Sequence, residues 1–189
     1  MKNLTQDEML AQLEDRVEGH IRQAVETLQN LPEPVLLQPA PDGGWSVAQC
    51  LEHLNSNGRY YLPHILQKLP ETPGPAKHAQ AAFRGSWLGR YFTQLMEPAT
   101  GKRKLKAMQG HCPDRNLDAY AVVAEFVRQQ ETLLQCLRQA RHADLNQSKI
   151  PISVARWLRL PLGDVFNFIV AHNDRHLAQA YRLLPVPTL

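Results

Sequence analysis

His172 and His176 stand four residues apart in Val170-Ala171-His172-Asn173-Asp174-Arg175-His176-Leu177. On a helix that spacing puts two side chains on one face, one turn apart. Two imidazoles so placed chelate a divalent cation without backbone distortion. A third ligand must come from another element. His53 is the best candidate, on the inward side of an earlier amphipathic segment. The competing reading is structural, because a histidine on an apolar face is commonly a hydrogen-bonded core residue. With eight histidines in the chain, a pair at this spacing is weak as a motif by itself. What favours a ligand role is the penalty of burying two adjacent imidazoles without one.

The elements that must position these residues are legible in the pattern. Thr5 and Glu8 form a capping box, and Leu10, Leu13, Val17, Ile21, Ala24 and Leu28 follow at steps of three and four. That predicts a long helix ending near Asn30. Pro32, Pro34, Pro39 and Pro41, with Gly43 and Gly44, predict an irregular connection. Ser46 and Gln49 form a second capping box, opening a helix with Val47, Leu51 and Leu54 on one stripe and Cys50, His53 and Asn57 beside it. Pro63 should kink that helix or end it early.

A short helix is expected from Trp87 to Met96, after a long loop from Pro70 to Gly85. Pro98 to Pro113 reads as irregular and basic. Asn116 is the expected N-cap of another long helix carrying Ala119, Val123, Phe126, Leu133 and Leu137. Ile150 to Trp157 reads equally as a short helix or an extended connection. Pro161 suits the first turn of a last helix, where Asp164 complements the macrodipole. Its stripe runs through Val165, Ile169, His172, His176, Gln179 and Leu183, and Pro185 and Pro187 stop it. With no convincing strand, the expectation is an all-α four-helix bundle with long loops and a short extra helix, forming a single domain over residues 1–189.

Composition excludes several classes. The chain has 189 residues, 43% hydrophobic and 21% charged, with a formal net charge of +3. A balance so close to neutral does not argue for nucleic acid. Lys102, Arg103, Lys104 and Lys106 form the main basic cluster, read as a solvated loop. No stretch is long and apolar enough to span a bilayer, and no secretory leader is expected. Three cysteines, Cys50, Cys112 and Cys136, give no framework of disulfides, so a reducing cytoplasm is expected.

Several segments together resemble the DinB-like superfamily. Gly44-Trp45-Ser46-Val47-Ala48-Gln49-Cys50-Leu51-Glu52-His53-Leu54 is similar to its Trp-Ser … His-Leu signature. Leu162-Gly163-Asp164-Val165-Phe166, leading to His172-Asn173-Asp174-Arg175-His176-Leu177-Ala178-Gln179, resembles its C-terminal His-x-x-x-His helix. Phe83-Arg84-Gly85-Ser86-Trp87 and Lys104-Leu105-Lys106-Ala107-Met108 add to the likeness. The resemblance implies a four-helix bundle holding one divalent metal ion through His53, His172 and His176. Zn, Ni, Fe, Co and Mn all suit neutral imidazoles.

It further implies a small-molecule substrate. The first expectation is transfer of a low-molecular-weight thiol, such as bacillithiol or mycothiol, to an electrophile in detoxification. Hydrolysis by a metal-bound hydroxide is the alternative, and a non-catalytic metal-binding stress-response protein is a third. A homodimer is expected from family habit. Around the triad, Cys50, one turn before His53, could approach the metal or pack as a small buried filler. Asn57 could orient a water or substrate, or make an interhelical hydrogen bond. Trp45 could line the pocket, or pack as a hydrophobic staple. Asp174 reads as solvent-exposed. His20, His64, His78, His111 and His142 read as ordinary.

Overall fold

The structure, a computed structural model, describes residues 4–69, 80–97, 112–153 and 155–184. The basic cluster at Lys102 to Lys106, the Lys104–Met108 segment, His78, His111 and the prolines after Leu184 lie outside those residues. So does most of the Pro70–Gly85 loop.

Four long helices carry the fold: α1 (Gln6–Glu26), α3 (Val47–Leu66), α5 (Ala119–Gln139) and α6 (Leu162–Tyr181). Helix α3 packs on α5 and α6, and α1 packs on the same two, so α1 and α3 face across one diagonal. Both expected capping boxes are present. Thr5 Oγ1 accepts from Glu8 N and Ser46 Oγ accepts from Gln49 N. The predicted stripes are buried: Leu10, Leu13, Val17 and Ala24 from α1 and Ala119, Val123, Phe126, Leu133 and Leu137 from α5.

Several details differ from expectation. A five-residue helix, α2 (Glu33–Leu37), forms in the proline-rich connection, because Pro34 falls in its first turn, where the missing N–H is no loss. Pro63 lies inside α3, which continues to Leu66. The defect falls in the last turn, where little of the hydrogen-bond ladder remains to be lost. The N-cap of α5 is Asp118, whose carboxylate accepts from Ala121 N at 2.9 Å; the Asn116 N–H instead bonds to Asp114 Oδ1.

The expectation of no strand is also corrected. β1 (Lys149–Ile152) and β2 (Ala155–Pro161) pair antiparallel, with an irregularity at Pro151/Ile152. The alternation drives it: Ile150, Ile152 and Leu160 turn into the core while Lys149, Trp157 and Arg159 face out. Tyr61 of α3 anchors the hairpin by accepting from Ser153 N at 3.1 Å.

The short helix α4 (Trp87–Met96) forms as expected and packs on α6. Asp164, expected simply to face the helix dipole, is buried. Its carboxylate accepts from Ser86 N at 2.9 Å and Ser86 Oγ at 2.7 Å, fastening the α4 N-cap to the first turn of α6. Burial pushes that carboxyl above its usual range, against the Ser86 bonds. Among the described residues no helix is long and apolar enough to cross a membrane.

Candidate metal centre

The α3 capping box fixes where that helix begins, and so which face His53 occupies. Two turns on, His53 is buried toward α6, which presents His172 and His176. One ligand atom from each of the three side chains lies within 4.8 Å of the others. His53 Nε2 and His172 Nε2 are 3.1 Å apart. The rings meet edge to face, with centroids separated by 4.9 Å (His53–His172), 4.6 Å (His53–His176) and 4.8 Å (His172–His176). Nitrogens about 2.0–2.1 Å from a tetrahedral ion lie about 3.3 Å from one another. The His53–His172 pair is close to that spacing, and the third ligand atom lies within 4.8 Å of both.

The donor set also fits an ion. The Nδ1–H of His176 donates to Gln179 Oε1 at 3.1 Å, which turns the Nε2 lone pair to the ligand side. Burial pushes the His176 imidazole pKa down to about 3, and the neighbouring His53 adds to the effect, so the ring is neutral and able to ligate. Among the described residues no carboxylate or thiol joins the cluster. The centre therefore suits a cation that accepts imidazole nitrogen.

The neighbours fall out differently from their sequence readings. Trp45 packs on the site, its ring centroid 5.0 Å from that of His53 and 5.8 Å from that of His176. Phe168 stacks on His172 at 5.6 Å. Cys50 is fully buried outside the cluster, and burial pushes its thiol up to about 12, so it stays protonated. Among the described residues the bond of the Asn57 amide stays within α3. Its Nδ2 donates to the His53 carbonyl, one turn back on the same helix, at 2.9 Å.

Sequence reasoning missed a second polar group on the same helix. His20 is 4% exposed. Its Nδ1 meets Gln130 Oε1 at 3.3 Å and its Nε2 meets Asp174 Oδ1 at 2.5 Å. Asn173 Nδ2 donates to the same Gln130 oxygen at 3.0 Å, and Arg16 pairs with Asp174 and with Glu97. Asp174, expected in solvent, is thus half-buried and ion-paired. Burial would raise its carboxyl, but the His20 and Arg16 bonds win and hold it below the usual range. The signal in the sequence was the period itself, since Gln130 falls on the buried stripe between Phe126 and Leu133.

Comparison with known proteins agrees with this fold. The sequence profile of the DinB superfamily matches residues 16–180. A solved structure, YfiT from Bacillus subtilis, superposes with a TM-score of 0.54 at 16% identity, covering 97% of this chain and 89% of that one. YfiT is described as a probable metal-dependent hydrolase with an unusual four-helix bundle topology. No curated protein sequence matches the chain. The chain belongs to the DinB superfamily.

Proposed function

We propose that this DinB-superfamily chain is a metal-dependent enzyme that transfers a low-molecular-weight thiol to an electrophilic substrate. Its divalent ion would be held by His53, His172 and His176. The observation that carries the proposal is the convergence of three imidazole nitrogens at the α3–α6 interface with no acidic residue among them. Bound there, a divalent ion would supply Lewis acidity and an open position favouring the deprotonated form of a small thiol or water.

The chain's own residues have definable parts. Gln179 fixes the His176 ring by accepting its Nδ1–H. Phe168 stacks on the His172 face, and Trp45 packs at a tilt beside His53 and His176. Neither buried cysteine is a nucleophile, because burial pushes Cys50 to about 12 and Cys136 to about 11. Among the described residues no cysteine joins the histidine cluster, so the reacting thiol of this proposal is a co-substrate.

Hydrolysis is the second reading, supported by the description of YfiT as a probable metal-dependent hydrolase. Elemental analysis of tag-free protein should find close to one divalent ion per chain. Stoichiometry near zero, with no uptake of added Zn or Ni, would remove both readings. Metallated protein is then given candidate thiols and an electrophilic dye. Conjugate formation supports thiol transfer, hydrolysis without thiol supports the second reading, and neither reaction leaves a non-catalytic metal-binding protein.

A further inference from the structure

Helix α4 and strand β2 pack against each other, and each turns one side to the core. Leu88 and Phe92 of α4 and Leu158 of β2 pack on the main apolar cluster. Their neighbours in sequence lie on the other side: Trp157 is 84% exposed, Trp87 72% and Tyr91 51%. Trp87 and Tyr91 stand four residues apart, one turn along the outer face of α4. On the hairpin, Trp157 and Arg159 alternate onto the outer face. Lys149 joins them there, because it pairs with Pro161, two residues beyond Arg159. A single exposed ring is ordinary, but three on adjoining elements mark a surface that meets something.

The charges on the same two elements have one sign. The chain has 18 acidic residues, yet none falls in α4 or in the two strands, which expose Arg90, Lys149 and Arg159. Arg16, Arg59, Arg138 and Arg141 are each paired with a carboxylate. Arg90 instead donates to the Gly85 carbonyl at 2.8 Å. Among the described residues neither it nor Lys149 nor Arg159 makes an ion pair.

We infer that this face docks on an anionic membrane surface, with Trp87, Tyr91 and Trp157 at the level of the headgroups and Arg90, Lys149 and Arg159 against their phosphates. Trp and Tyr rings settle at that depth, and nearby Lys and Arg are drawn to anionic lipid. A second copy in a two-fold contact would set these cations against their own counterparts. A protein partner would have to supply a pocket for each protruding ring, whereas a layer of headgroups needs no such fit. The contact is with the surface, since among the described residues no helix is long and apolar enough to cross. The inference uses no residue of the metal centre and stands apart from the proposed function.

The full chain is co-sedimented with vesicles of phosphatidylcholine alone and of phosphatidylcholine mixed with phosphatidylglycerol. Binding to the anionic vesicles should be at least about tenfold tighter than to the neutral ones, and should weaken as salt is raised. Trp157→Ala should weaken it about tenfold and Arg159→Glu about thirtyfold. Both side chains are exposed, so each variant should keep the wild-type circular-dichroism spectrum. Val25→Ala, which trims an exposed apolar side chain of α1, should bind as wild type does. Absent binding, equal binding to both vesicles, or binding indifferent to Trp157→Ala and Arg159→Glu would overturn the inference. So would a dimer in light scattering that the same two substitutions dissociate, or a preference for polyglutamate or a single-stranded oligonucleotide over the anionic vesicles.

Discussion

Helix α6 contributes to two buried groups of polar side chains, and they handle histidine in opposite ways. His20 and His53 are nearly equally buried, at 4% and 6% exposure, so burial alone does not separate them. Their partners do. His20 has an amide oxygen on one ring nitrogen and a carboxylate on the other, and that carboxylate is shared with Arg16. His53, His172 and His176 instead bring ring nitrogens toward ring nitrogens, a set of converging lone pairs. A histidine held at both nitrogens by oxygen acceptors is part of the scaffold. Histidines whose nitrogens converge on one another could hold a cation.

The strongest way to break this contrast is His176→Ala. Loss of one of three ligands should lower Zn or Co affinity by more than about a hundredfold, since even supporting residues cost tenfold to a hundredfold. The circular-dichroism spectrum should be preserved, because alanine favours the helix and Val165 and Ile169 remain buried. Unchanged metal affinity would make the trio ordinary core.

His20→Ala should show the reverse balance. It strips partners from buried Gln130 and from Asp174, so stability should fall by about 2 kcal/mol, read as a lower denaturation midpoint. Metal affinity should stay within about tenfold of wild type. A larger loss of metal than of stability would mean that the two groups are not separate.

Acid should also tell them apart. His176 has its folded pKa depressed to about 3 from an ordinary 6.5. The unfolded chain therefore binds the proton first. The stability this neutral ring contributes is complete above pH 6.5 and is lost as pH falls toward 3. Metal-free wild type should lose about 1 kcal/mol per pH unit below 6.5. Most of that slope should be absent in metal-free His176→Ala, and an unchanged slope would count against a neutral buried ring.

The smallest effect expected is for Gln179→Ala. Freed from its hydrogen bond, His176 should bind metal about tenfold more weakly, with little change in the melt. A change in melting temperature without a change in affinity would place Gln179 with the scaffold.

The clustering of the three histidines was legible in the sequence because a four-residue spacing on a helix fixes direction, and because the capping box at Ser46 and Gln49 fixed the helix on which His53 lies. The long helices were legible for the same reason: their apolar period is local information. The His20 group was not, because its members come from three helices and no local spacing pairs them, His20 meeting Gln130 and Asp174 only in the folded chain. Polar residues at core positions announce that they need partners without saying which. The hairpin was missed for want of length. Lys149–Ile152 alternates correctly, but four residues are too few to separate a strand from a helical turn. The α5 N-cap was misplaced because Asn116 and Asp118 are both good capping residues, and only the final turn geometry chooses between them.

The trio joins residues 119 positions apart, His53 with His172. An ion held there would close a loop comprising most of the chain, tying α3 to α6 in the folded state as well as serving as a cofactor site. Its coordination would form only after α3 and α6 had docked, so metal capture would come late in folding and report that the chain ends had been correctly assembled. Release of the ion would first loosen the α3–α6 seam, and α4, fastened to α6 through Asp164 and Ser86, would travel with it.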